Sequence, residues 1–191
     1  MGSCSYELVT HINQSFAITV ENVPCGVSGV TCTKAVHIKV NQHRIDLVRG
    51  KAATVNNVTL TENVYSSNDI KIGRAGLFVV IYVPEYGMEV MWDEGTRVYV
   101  MLDRKHMGHV RGLCGNFNGR SDDEFASRTN STESRPSVFG ESWKLSDSCP
   151  NVVQDVPDEN TSPCGTANGI PLAHREPWAK AKCHHHGGPR V

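Results

Sequence analysis

Ala35–Asn41, AVHIKVN, alternates apolar and polar side chains. In an extended chain Val36, Ile38 and Val40 share one face while His37 and Lys39 share the other, the period-2 signature of a half-buried strand. The pattern recurs in Ser5–His11 (SYELVTH), Phe16–Glu21 (FAITVE) and Arg44–Arg49 (RIDLVR). Leu77–Val83 (LFVVIYV) is continuously apolar, which predicts a strand covered on both faces. Gly87 separates it from Met88–Trp92 (MEVMW), predicting a hairpin, and Arg97–Leu102 (RVYVML) adds a further strand. β-Branched and aromatic residues dominate these runs, and no long 3.6-period segment competes with them. The expected fold class is all-β, an antiparallel β-sandwich.

Charge and size narrow the function classes. The chain has 191 residues, with 19 Lys+Arg against 20 Asp+Glu and a formal net charge of −1. That length suits one moderate domain, or one domain and a fragment of the next. A balanced charge argues against a nucleic-acid partner, which calls for a basic excess. The longest apolar stretch, Ala75–Val83, is too short to span a bilayer, so no membrane insertion is expected. No leader opens the chain, and any secretion signal is expected outside it. Seven cysteines occur with no C-x-x-C pair, which disfavours a zinc ribbon or a dithiol redox site. Sequons begin at Asn13, Asn57, Asn130 and Asn160. Scattered cysteines and several sequons together point to a secreted, extracellular chain.

Beyond Gly112 the composition changes. Residues 115–135 are rich in Gly, Asn, Asp, Ser and Arg, which form an ordered loop only if something ties them down. Phe139–Leu145 (FGESWKL) offers aromatic anchors that can pack back on a sheet. Residues 150–163 read as a linker, and Pro177–Lys182 as a short helix with proline in its first turn. Within Gly112–Phe125, GLCGNFNGRSDDEF, hard oxygen donors crowd together at Asn116, Asn118, Asp122, Asp123 and Glu124. Calcium takes six to eight such oxygens. Gly115 and Gly119 allow tight turns that aim donors at one point. The spacing is not that of an EF-hand. A solvated acidic loop is the alternative that the donor pattern leaves open.

GLCGNFNG followed by an acidic pair resembles the von Willebrand factor type D domain. Cys4–Val9 (CSYELV), Phe16–Cys25, Cys32–Ala35, Val90–Asp93 (VMWD) and Phe139–Leu145 follow in that family's order. The resemblance covers residues 1–149. Residues 164–183 look like the start of the cysteine-rich C8 module that follows such domains, and residues 184–191, with His184-His185-His186, read as an affinity tag or cloning remnant. The VENVPCG…TCTKA phrasing is most similar to the third D assembly of gel-forming mucins and von Willebrand factor, or of otogelin- and SCO-spondin-like glycoproteins. The resemblance implies a Ca²⁺ site on Asn116, Asn118, the carbonyl of Arg120, Asp123 and Glu124, where Glu124 replaces the more usual Asp. It also implies a first strand that supplies a further Asp and is missing before Met1.

Cysteine pairing is read from two sources. Cys25 and Cys32 enclose six residues with Gly26 and Gly29, which suggests a local loop staple. The resemblance pairs Cys4 with Cys149 and gives Cys114 a partner upstream of this chain. Seven is odd, so truncation and an intermolecular bridge both remain open for the leftover thiol. His106 and His109 are expected to face solvent. His11, His37, His43, His106 and His109 are candidates to titrate along the acidic secretory route and to modulate self-association.

Enzyme signatures are absent: no G-x-S-x-G, P-loop, G-x-G-x-x-G or H-E-x-x-H occurs. The resemblance implies a non-enzymatic structural module of a secreted, disulfide-linked multidomain glycoprotein, stabilised by Ca²⁺. Its partners would be itself or neighbouring D-assembly modules (C8, TIL) in mucin-like or matrix polymers. The alternative is an extracellular recognition module for a separate protein, such as a growth factor or clotting protein.

Overall fold

Alternating side chains leave each strand with one apolar face, and two such sheets bury those faces against each other. A computed structural model of the chain describes residues 2–25, 31–146 and 149. The chain divides into two compact units. One, Met1–Pro24 with Thr31–Val152, holds every element named below; of the other, Cys25–Val30 with Val153–Val191, only Cys25 is described.

The strands are β1 (Ser5–His11), β2 (Phe16–Pro24), β3 (Thr31–Val40), β4 (His43–Val48), β5 (Thr54–Val55), β6 (Val58–Thr59), β7 (Tyr65–Ser66), β8 (Lys71–Ala75), β9 (Phe78–Val83), β10 (Met88–Trp92), β11 (Val98–Met101) and β12 (Val110–Arg111). One short helix follows, α1 (Pro136–Ser142). The first sheet runs β12-β1-β2-β3-β4-β5-β6 and the second β11-β10-β9-β8-β7. Neighbours pair antiparallel throughout. The fold is therefore all-β and sandwich-like, as the alternation predicts.

In AVHIKVN the expected faces are realised. Val36, Ile38 and Val40 are buried, opposite Val20, Ile18 and Phe16 of β2. Ile45 and Leu47 of β4 extend the row, and Ile72, Val79, Ile81, Val83, Met88, Val90 and Trp92 of the second sheet complete one buried cluster. Each fully buried aliphatic side chain contributes about 1.5–3 kcal/mol.

β1 departs from simple alternation, since Tyr6 through Thr10 are all buried. A register shift between Glu7 and Val9 marks a bulge against β2. At the bulge the backbone also serves a third and fourth segment. Leu113 N donates to Glu7 O at 3.1 Å, Cys114 N to Leu8 O at 3.0 Å, and Glu7 N to Trp143 O at 3.0 Å. The aromatic anchors of FGESWKL thus do pack back: Phe139 and Trp143 are buried, and Lys144 bridges to Tyr6. Seven residues of helix that open on a proline and contain Gly140 have too little length for a helical period to register in sequence.

Two expectations are corrected. Leu77–Val83 is not covered on both faces. Val79, Ile81 and Val83 are buried, but Phe78, Val80 and Tyr82 point outward and Leu77 is 80% exposed. An apolar run reads the same whether or not something lies over it; here the neighbouring outward positions, Lys71 on β8 and Glu89 on β10, belong to an open face. Nor does His106 face solvent. It is only 6% exposed, its ring 5.4 Å from His11, 5.6 Å from Phe16 and 5.8 Å from Tyr86. A 3-10 turn at Arg104–His106 rotates it inward, and its Nε2 meets Tyr86 O at 2.9 Å. His109 is exposed, as expected.

Cys4 and Cys149 form a disulfide with Cα atoms 5.5 Å apart. Cys25 and Cys32 are each disulfide-bonded. Among the described residues Cys114 is a free thiol. The linker 150–163, the C8-like stretch 164–183 with its Pro177–Lys182 helix, residues 184–191 and the sequon at Asn160 lie outside the described residues. Asn13, Asn57 and Asn130 are exposed, and Asn57 and Asn130 have positive φ. Among the described residues no helix is long and apolar enough to cross a membrane.

Candidate functional site

The donor-rich loop begins where β12 ends. Gly112 takes φ 140°, and a Cβ there would run into the Leu8 backbone, so the chain can lie against the β1 bulge only as glycine. Gly115 (φ 81°) and Gly119 (φ 77°) bracket the turn, and Phe117 between them also takes a positive φ of 57°. A Cβ on Gly115 would overlap the Glu124 carboxylate, which therefore lies directly over the glycine.

Short-range hydrogen bonds tie the loop down. Asn116 Oδ1 accepts from Asn118 N at 3.0 Å, and Asn118 Oδ1 accepts from Arg120 N at 2.8 Å. Both carboxamides then donate to one oxygen: Asn116 Nδ2 reaches Asp123 Oδ2 at 3.0 Å and Asn118 Nδ2 reaches it at 2.8 Å. The other oxygen, Asp123 Oδ1, is buried and has no hydrogen-bond partner among the described residues. From outside, Gly108 N donates to Asn116 O at 3.2 Å, and Ala126 N donates to Asp123 O at 3.0 Å.

The structure therefore brings Asn116, Asn118 and Asp123 together and sets Glu124 against Gly115. Arg120 takes part through its backbone N–H and through a side-chain pair with Asp122 at 2.6 Å. That pair is exposed; the guanidinium holds the Asp122 carboxyl below the usual carboxylate range, and Asp122 points away into solvent as a surface partner. Cys114 adjoins the loop, and burial pushes its thiol pKa up although the residue as a whole is exposed.

The donor set suits a hard cation. Amide oxygens keep a second lone pair when one is used, and a buried carboxylate oxygen with no donor is an incomplete environment for a charge. Among the described residues no three of His, Cys, Asp and Glu converge as a metal cluster, so any cation here would rely on the two asparagines as well as the carboxylates.

Sequence reading missed the groups that anchor this loop to the sheet. Arg128 Nη1 donates to Glu7 Oε2 at 2.7 Å, its Nε donates to Ser142 O at 3.0 Å, and its guanidinium lies 5.0 Å from the Trp143 ring. Glu7 and Arg128 are 121 positions apart, and no local pattern links them. Asp93 lies in the turn between β10 and β11. Burial would raise its carboxyl, but N–H groups of Arg97 and Gly95 outweigh that and hold it low. It is a turn-forming residue.

The von Willebrand factor type D domain family matches residues 1–131. SCO-spondin of Gallus gallus is 41% identical over 186 residues, 96% of this chain and 3% of the relative. Mucin-5B of Homo sapiens is 37% identical over 196 residues, covering 98% of the chain and 3% of the relative. Hemocytin of Bombyx mori is 34% identical over 192 residues, covering 95% of the chain and 6% of the relative. The chain thus spans a few per cent of the length of these relatives. With the family matched across the sandwich and the GLCGN loop, the chain belongs to the von Willebrand factor type D domain family.

Proposed function

We propose that this domain is a non-enzymatic structural module of a secreted multidomain glycoprotein, that Ca²⁺ at the Asn116–Glu124 loop stabilises it, and that it takes part in assembly with its own kind or with adjoining modules. The observation that carries the metal reading is Asp123, whose Oδ2 gathers both asparagine carboxamides while its buried Oδ1 is left without a donor. Asn116, Asn118, Asp123 and Glu124 would hold the ion, with the Arg120 carbonyl as a further oxygen. A bound divalent cation supplies positive charge to a buried carboxylate and fixes the surrounding backbone.

The assembly reading draws on the family and on the similarity to SCO-spondin and mucins, which the chain matches over only a small part of their length. Secretion is supported by the oxidised cysteines and the exposed sequons at Asn13, Asn57 and Asn130.

Chelation tests the metal. EDTA is expected to lower the melting temperature, and Asp123→Ala is expected to melt alike with and without chelator. Identical melts of the unaltered chain in calcium and in EDTA would remove the cation from the proposal. Sedimentation velocity from pH 5 to 7.5, with and without calcium, tests assembly. Oligomers linked to calcium and pH are expected, and a monomer under every condition would reject it.

A further inference from the structure

The outward face of the first sheet carries a cavity of about 570 Å³, within the size range of small-ligand sites. Ala17, Thr19, His37, Lys39, His43 and Arg44 are among the residues that line it. The cavity follows from strand register. Ala17 of β2 sits opposite Lys39 of β3, which sits opposite Arg44 of β4. One small residue beside two long ones leaves a hollow. It also sets Lys39 and Arg44 side by side across a strand pair, with Asp46 as a carboxylate partner for Arg44.

The donors around this hollow are mostly unused. Arg44 uses only Nε–H, toward the two oxygens of Asp46 at 3.1 and 3.0 Å, so its Nη groups are unpaired among the described residues. His37 Nδ1 meets Asp46 Oδ1 at 2.5 Å, and its Nε2 has no partner among the described residues. His43 Nε2 faces Asp69 at 3.3 Å, while its Nδ1 is buried with no partner among the described residues. Lys39 Nζ has no ion pair or hydrogen bond among the described residues. Asp46 accepts from His37 and Arg44, so it orients the two side chains and offsets one of the two cationic charges. At the rim, Asn41 is held by Glu85 at 2.8 Å and by the Tyr86 hydroxyl at 2.7 Å.

We propose that this cleft binds an acidic saccharide, its sulfate or carboxylate group held between Lys39 and the Arg44 fork with His37 and His43 alongside. A guanidinium fork and an ammonium group are suited to oxyanions, and the small Ala17 side chain leaves room for the C–H face of a sugar ring. An acidic peptide fits less well. β2, β3 and β4 are interior strands paired on both sides, so no backbone edge is open for strand addition. The cleft is separate from the 112–124 loop, and the proposal does not depend on the calcium reading.

Calorimetric titration of the chain at physiological salt tests it, with three probes: a heparin-derived tetrasaccharide, a hyaluronan tetrasaccharide and a hexaglutamate peptide. At least one saccharide is expected to bind. Binding of the heparin fragment alone assigns sulfate, and binding of both shows that a carboxylate suffices. The exposed pair Lys39→Ala and Arg44→Ala together should weaken binding about tenfold or more, the scale expected for losing two charge-assisted contacts. Lys51→Ala with Lys71→Ala removes the same charge elsewhere and should leave affinity unchanged. The proposal is overturned if neither saccharide binds, if the peptide binds as well as the saccharides, or if the control pair weakens binding equally.

Discussion

Arg128 joins pieces of chain that are remote in sequence. Its guanidinium meets Glu7 on β1, the Ser142 carbonyl at the end of α1, and the face of Trp143. Glu7 is 6% exposed, and among the described residues Arg128 is the cation paired with its carboxylate. The Arg128 side chain is 35% exposed, so the pair is only half-buried, and removing the guanidinium leaves a shielded carboxylate unpaired at a cost of about 1–3 kcal/mol. Arg128→Ala is therefore expected to lower the urea midpoint strongly, and adding Glu7→Gln is expected to recover part of the loss. An Arg128→Ala midpoint equal to that of the unaltered chain would show that the pair is dispensable. No sequence pattern reveals this contact, because 121 positions separate the partners. The Asn116–Asn118–Asp123 cluster, by contrast, is built within eight positions of chain, and its residue types alone bring the donors into view.

At the scale of elements, the 3-10 turn Arg104–His106 shows what titration can do to packing. Asp103 caps the turn by accepting from Lys105 N at 3.0 Å. Burial holds the His106 imidazole below its usual range; nearby His11 and Lys105 act the same way, while the Tyr86 carbonyl and Asp103 oppose it. The unfolded chain then binds a proton more readily than the folded one. Stability from this group is complete above the ordinary imidazole value of about 6.5 and is lost as pH falls from there through the depressed folded value. The melting temperature is expected to fall between pH 7.5 and 5, and His106→Gln should fall less over the same range. Parallel curves for the two proteins would exclude His106 as the source. The strands with period-2 alternation were legible because each side chain's face is set locally. α1 and the two-residue strands β5, β6, β7 and β12 were not, since so short an element has no period to read. The open face of β9 was illegible for another reason: a side chain's covering depends on what lies across from it, and LFVVIYV carries no record of that.

For the molecule as a whole, a sandwich of two sheets could be inferred from residues 5–102 alone, because strand after strand repeats one alternation. The Lys39–Arg44 cleft needed three strands in register before it existed. The bond from Cys4 to Cys149 encloses nearly everything described, with a sequence separation of 145. In chain-entropy terms a loop of that size contributes about 4–5 kcal/mol. It also decides where tension goes. A pull applied to the two ends of the polypeptide passes from one sulfur to the other, and both sheets stay off the load path. In an optical trap the oxidised domain should yield no length from the enclosed residues, whereas a reductant should release roughly 500 Å, at about 3.3–3.6 Å for each of the 145 positions. Equal extension in both states would mean that the bridge carries no force.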